Sequence, residues 1–318
     1  MFNKIMHIPV LLNEILRYLD PKPGDNFIDC TVGEGGHALA ILKMTAPDGK
    51  LIGIDRDADM VERLRARAKD MGVGERFIIH HGNFADIRKI SEGYDFYKVN
   101  GALFDFGMSS WQIDESGMGF SFQNIEPLDM RYDRTKNTPT AANIINSWPE
   151  ASLARIIYEF GEERYSRRIA KEIVMARKKE HITTTDELVR IIFRAVPRVR
   201  AGKPGIHFAT RTFQAFRIAI NMELENVEAG LEEAIYRVEI GGKVAAISFH
   251  SLEDRIVKNT FKKYSRPREL EGGVYFNRAE GGVVKIITKK PVNPAAEEIF
   301  ENPRARSAKL RVSEKVSA

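Results

Sequence analysis

The chain has 318 residues, 43% of them hydrophobic, with a formal charge of +5 and a single cysteine, Cys30. That is apolar material for one large domain or two modest ones, with no run near the ~20 apolar residues of a membrane span and no signal-peptide cleavage pattern. One cysteine excludes an internal disulfide and a cysteine-based metal cluster, so a soluble cytoplasmic protein with no membrane partner and no metal site is expected.

The opening stretch to Leu19 has helical periodicity with internal charges. The apolar run at Phe27 then enters the loop DCTVGEGGH (residues 29–37), and a second run, LIGID, ends at Asp55. Strand, glycine-rich loop, helix and strand make one βαβ unit. Gly33, Gly35 and Gly36 allow a tight turn and a close backbone approach to a ligand. Asp55, at the end of the second strand, is placed to accept the hydroxyls of a ribose. The loop also selects among nucleoside cofactors. A pyrophosphate sits on helix N-terminal N–H groups and is repelled by carboxylates, yet Asp29 opens this loop and Glu34 lies in it. The two acids suit the methionine ammonium of S-adenosylmethionine, which has no phosphate.

ERFIIHHGNF (residues 75–84) reads as a third strand with a polar exit, and Val99–Phe104 as a fourth ending at Asp105. Alternation of strand and helix to this point predicts a parallel α/β sheet. It then stops: residues 111–218 read as helical, and strand signals return at GGKVAAISFH (241–250), followed by a helix and by a possible strand pair in GGVVKIITKK (281–290). The predicted organisation is a sheet domain, 1–110 with 219–318, interrupted by a helical insertion, 111–218. The final residues, with Arg304, Arg306, Lys309 and Arg311, read as a basic tail that orders on binding.

Charge is uneven. Residues 151–217 hold 15 Lys and Arg against 7 Asp and Glu, which points to a polyanionic partner, although solvated helix faces hold such charge equally well. Asp105 follows the fourth strand, where a carboxylate accepting an N–H from an exocyclic base amine would localise its lone pair and drain positive charge as a new bond forms. It is the candidate catalytic residue; a simple turn-former reads the local sequence as well. Trp111, Phe120 and Phe122 are candidates for stacking an extruded base, against the alternative of core packing. Arg211 and Arg217, in HFATRTFQAFRIAIN, are candidates for phosphate, with a core ion pair as the alternative reading for an Arg in an apolar helix. In ISFHSLEDR, His250 is a further RNA candidate, while Ser251 with Asp254 reads as a helix cap, no GxSxG elbow being present. Cys30 lies in the cofactor loop, which disfavours carbon methylation of a pyrimidine and leaves nitrogen or ribose oxygen as acceptor.

Together HIPVLLNE, DCTVGEGGH, GIDRD, DFGMSS with Gln112 and Asp114, GFSF, DMRYD, FGEE, HFATRTFQAFRIAIN, ISFHSLEDRIVK and NPRARSAKLR, in this order, resemble the MraW-type methyltransferases over almost the whole chain. The resemblance implies a Rossmann-like class I methyltransferase sheet with a helical substrate-recognition insertion. It implies S-adenosylmethionine as cofactor and N4 of a decoding-centre cytidine in 16S rRNA of the small ribosomal subunit as target. It also implies cofactor contacts from Gly35, Gly36, His37, Asp55, Phe84, Asp105 and Gln112. Phe106, Met108 and Phe208 stand where that family more usually has leucine, valine and proline, apolar exchanges that bear on packing. Ribose 2′-O-methylation, disfavoured by the lack of a lysine after the fourth strand, and a non-catalytic ribosome-assembly factor are the competing readings. Monomer and homodimer are both compatible with the sequence.

Overall fold

A computed structural model describes residues 9–197, 207–266 and 282–317 and divides into two compact units, Met1–Gly107 with Leu224–Ala318, and Met108–Glu223. The division falls at Gly107 rather than 110 and at Glu223 rather than 218. Among the described residues no helix is long and apolar enough to cross a membrane.

The first unit is built on seven strands: β1 (Phe27–Asp29), β2 (Leu51–Asp55), β3 (Phe77–His81), β4 (Val99–Asp105), β5 (Val238–Ser248), β6 (Val284–Ile286) and β7 (Lys309–Lys315). Their order is β3-β2-β1-β4-β5-β7-β6, with β1 to β5 parallel and β7 antiparallel to both neighbours. Consecutive strand residues point to opposite faces, so a sheet covered on both sides needs apolar residues at every position. Phe27, Leu51, Leu103 and Ile247 pack into one core, and Ile28, Ile52, Phe104 and Ala246 into another across the sheet. The first core takes α1 (Leu12–Leu19), α2 (Gly36–Met44) and α3 (Ala58–Asp70). The second takes α4 (Ile87–Glu92), the helix Glu223–Arg237 and the helix Ser251–Tyr264. Residues 1–8, the start of the predicted N-terminal helix, lie outside the described residues.

Two expectations are corrected here. The basic C-terminal segment is not a tail: Leu310 and Val312 enter the core from β7, while Arg311 on the opposite face makes a bidentate pair with Asp254, Nε to Oδ1 at 2.6 Å and Nη2 to Oδ2 at 3.2 Å. Within 282–290 the structure has one short strand, β6, rather than a pair.

The second unit is helical: α5 (Ser110–Asp114), α6 (Ala141–Ser147), α7 (Glu150–Glu159), α8 (Ser166–Arg177), α9 (Thr185–Ala195) and α10 (Thr210–Asn221). Thr140 with Asn143 and Thr184 with Glu187 form capping boxes that start α6 and α9. Ile157, Ile169, Ile173, Ile192 and Phe216, all fully buried, form the centre of its core. Asn221, at the end of α10, accepts from Tyr132 N–H (2.9 Å) and donates to Met130 O (2.7 Å), which pins the DMRYD segment. Within it Arg131 pairs with Asp129 at 2.7 Å, and Asp133 accepts from Thr135 N–H at 2.9 Å.

Candidate active site

The carboxyl ends of β1, β2 and β4 bring together the loop 29–37, Asp55 and Asp105. The loop is fixed by its own backbone: Val32 N–H donates to Ile54 O at 2.9 Å and Gly35 N–H to Val32 O at 2.8 Å. Gly35 turns the chain at φ 81°, and a Cβ there would lie 2.6 Å from Leu64; a Cβ at Gly36 would clash with the Pro9 ring. Gly33 N–H donates to Asp55 Oδ2 and Asp57 N–H to Asp55 Oδ1, each at 2.9 Å, so the Asp55 carboxylate is held in one orientation with lone pairs left to accept further donors. Burial, opposed by these N–H donors, pushes the Asp55 carboxyl up to about 6.

Asp29 is 2% exposed and accepts from Thr31 N–H at 3.2 Å; burial pushes its carboxyl up to about 7. Glu34, by contrast, is exposed. Thr31 Oγ1 accepts from Asp105 N–H at 2.6 Å, tying the loop to the end of β4. His37, at the first turn of α2, is 6% exposed, with Nε2 3.6 Å from Asp105 Oδ2. Among the described residues, neither His37 ring nitrogen has a hydrogen-bond partner, and neither does Asp105 Oδ1. Buried polar atoms of this kind are costly and in native proteins almost always partnered. Three at one strand edge mark a place for a polar ligand. Phe84 completes this edge, its ring 5.7 Å from Phe104 and 6.0 Å from Phe106.

A glycine turn, a ribose-height carboxylate, an apolar ring and unpartnered buried donors and acceptors fit S-adenosylmethionine, which offers a ribose, an adenine and a zwitterionic amino acid.

A family model described as the MraW methylase family matches residues 4–316. The chain belongs to that family. It is therefore a methyltransferase by descent as well as by site chemistry. Among its relatives is the ribosomal RNA small subunit methyltransferase H of Geobacter sulfurreducens, 48% identical over 316 residues, which cover 98% of this chain and 99% of that protein. The protein of the same name from Symbiobacterium thermophilum is 44% identical over 313 residues, 98% of this chain and 97% of the other. That of Carboxydothermus hydrogenoformans is 44% identical over 316 residues, 98% of each.

Other sequence candidates have different surroundings. Gln112 lies in the second unit, where its Oε1 accepts from Ser109 N–H at 3.1 Å in a capping box that opens α5. Phe120 is buried and stacked on Tyr132 (5.4 Å, 17°), and Phe122 is stacked on His207 (4.5 Å, 17°) with its edge to Phe213. Both take part in the packing of the helical unit, Phe120 buried and Phe122 half-buried; Trp111 is half-buried on α5. Arg217 takes the core ion pair that its apolar helix also allowed. It is 9% exposed and makes a bidentate pair with Glu223, Nε and Nη2 each 2.8 Å from a carboxylate oxygen, so it serves the fold and not a phosphate. Arg211 is half-buried and donates to Glu162 O at 3.0 Å.

His250, and not Ser251, is the N-cap of the helix Ser251–Tyr264: its Nδ1 accepts from Glu253 N–H at 3.3 Å, and Glu253 Oε2 accepts from His250 N–H at 3.3 Å. A histidine in that role has no common sequence signature. The feature that sequence reasoning missed in the site is Thr31, whose hydroxyl links the loop to Asp105; a Thr two residues past a strand end carries no signal of its own.

Proposed function

We propose that this chain transfers the methyl group of S-adenosylmethionine to N4 of a decoding-centre cytidine in 16S rRNA, acting in the cytoplasm on the small ribosomal subunit. The observation that carries the reading is the set of unpartnered buried atoms of His37 and Asp105 beside the glycine turn, in a chain of the MraW family. When bound, the cofactor supplies an electrophilic methyl group on a sulfonium. Asp55 receives the ribose hydroxyls, Phe84 packs on the adenine, the backbone at Gly33, Gly35 and Gly36 admits the ligand closely, and Asp29 with His37 receives the amino-acid end. The helical unit serves as the substrate-recognition insertion.

Asp105 orients the target amine. The amine nitrogen is a weak nucleophile because its lone pair is shared with the ring. An acceptor on one N–H holds that lone pair toward the methyl group and takes up the proton released as the N–C bond forms. A carbon-methylating route needs a thiolate at the base. Cys30 is 1% exposed in the core on one face of the sheet, and burial pushes its thiol well up, so it does not supply one.

The test is to incubate the protein with labelled cofactor and small subunits from a strain lacking this modification, then to identify the labelled nucleoside by mass spectrometry. N4-methylcytidine at one position is expected. Label in 2′-O-methylcytidine overturns the amine mechanism, and tight binding without label leaves an assembly factor.

A further inference from the structure

Helix α8 has one buried face, with Ile169, Ala170 and Ile173 each at 0% exposure. Its other face is exposed and basic. Arg168, Lys171 and Met175 follow one another on this face at spacings of three and four, with Arg164 in the turn just before the helix and Lys178 just past its last residue, all exposed. At 1.5 Å per residue the helical part, from Arg168 to Lys178, runs about 15 Å. Arg164 and Arg168 are arranged around an aromatic ring. Arg164 Cζ lies 4.7 Å and Arg168 Cζ 5.9 Å from the centre of Tyr165, and Arg164 Nη2 donates to the Tyr165 hydroxyl at 2.7 Å. Tyr165 is fixed in turn, its N–H donating at 2.9 Å to Oε1 of the buried Glu163. Arg211 joins the same loop through the Glu162 carbonyl, two residues before Arg164.

Among the described residues, no carboxylate pairs with Arg164, Arg168, Lys171 or Lys178. The neighbouring helix α9 shows the ordinary arrangement: Arg190 pairs with Asp186, and Arg194 lies 3.9 Å from Glu172. Unneutralised cations in a row repel one another, and an external polyanion relieves that repulsion. Guanidiniums held by a ring have lost less freedom to lose again on binding and present planar forks that match phosphate oxygens.

We propose that this face of α8 is a phosphate rail, in which Arg164, Arg168, Lys171 and Lys178 grip the backbone of the substrate RNA independently of base sequence. The inference rests on the ribosomal RNA reading above and names the surface that holds that RNA. RNA is the favoured occupant because four exposed cations without a carboxylate partner, two of them guanidiniums set around one ring, suit the closely spaced phosphates of a nucleic acid backbone.

The experiment compares the full-length protein with R164Q/R168Q/K171Q/K178Q, using a fluorescent decoding-region fragment of 16S rRNA across 50 to 300 mM KCl. With each phosphate contact contributing about 0.7 to 0.9 to the slope of log K against log salt, the variant is expected to lose about three units of slope. RNA affinity at low salt should fall about 100-fold, and KM for RNA should rise with kcat little changed. Cofactor affinity and melting temperature report an intact fold. K43Q/K50Q/K69Q/K89Q, exposed lysines of the other unit, is the charge-matched control and should keep the wild-type slope.

An unchanged slope in the α8 variant, with wild type still methylating RNA, overturns the rail alone. An equal loss in the control also overturns it, by reducing the effect to net charge. Loss of binding only to protein-coated subunits, with naked RNA unaffected, overturns it in favour of an acidic protein. A wild-type protein that neither binds nor methylates RNA sinks the enzymatic reading and the rail with it.

Discussion

In the sheet unit the site charges are carboxylates drawn inward. Asp29 and Asp55 sit at strand ends with pKa values pushed up by burial to about 7 and about 6. In the helical unit a row of cations without carboxylate partners lies outside, along α8 and its ends, while the buried cation Arg217 is fully matched by Glu223. Buried unmatched charge is costly and is kept where a ligand will meet it; exposed unmatched charge costs little and suits a large, hydrated polyanion. The difference matches the proposed division, in which one unit holds a small zwitterion and the other a nucleic acid backbone.

The largest break of that comparison is Asp55→Ala with Asp105→Ala. Methyl transfer should fall by about 10³-fold or more, while RNA binding measured by filter retention stays near wild type. Equal loss of both would mean that the two units do not divide the work. Next in size is Arg217→Ala, which leaves Glu223 charged, buried and alone. Unfolding in urea should show a loss of about 3 to 5 kcal/mol, with Arg217→Met milder than expected from volume only if water reaches Glu223.

Asp29→Asn sharpens the other half. The folded carboxyl binds its proton more tightly than the unfolded one, so wild-type stability is present below about pH 4 and declines as pH rises toward about 7. The Asn variant lacks that decline. Its melting temperature should exceed wild type at pH 8 by an amount equivalent to about 2 to 4 kcal/mol, with the gap closing at pH 4. Cofactor binding by wild type should tighten through pH 7 as Asp29 ionises, a dependence the variant loses, which calorimetry at two pH values would detect. The smallest effect is Arg190→Ala on α9. Its exposed pair with Asp186 should contribute no more than about 0.5 kcal/mol, and the salt slope for RNA should not move.

The sheet was legible because its signals are local: an apolar run, a glycine loop and an acid at the next strand end lie within thirty residues. What escaped depended on partners distant in sequence or on an unpredictable turn. Residues 309–315 alternate charge with Leu310 and Val312 and look like a solvated tail until Asp254 neutralises Arg311 and the Tyr236 carbonyl accepts from Lys315 Nζ. The partner of Arg217 is six residues away, brought back by a left-handed turn at Met222 (φ 51°). Phe120 and Phe122 carry the same letters whether they stack on bases or on Tyr132 and His207.

The neighbours β4 and β5 are separated by residues 106–237, the whole helical unit lying between two strands that must pair in register from Gly101 with Lys243 to Asp105 with Ile247. Joining them directly from the unfolded chain means closing a loop of more than a hundred residues. A helical unit that folds first on its own local contacts shortens that loop, each halving giving back about 0.6 kcal/mol of closure entropy. The insertion is then expected to act as a scaffold for the assembly of the sheet that surrounds it in sequence. Substitutions in its core, such as Phe216→Ala, should slow the appearance of the β4–β5 pair in refolding, far in sequence from either strand.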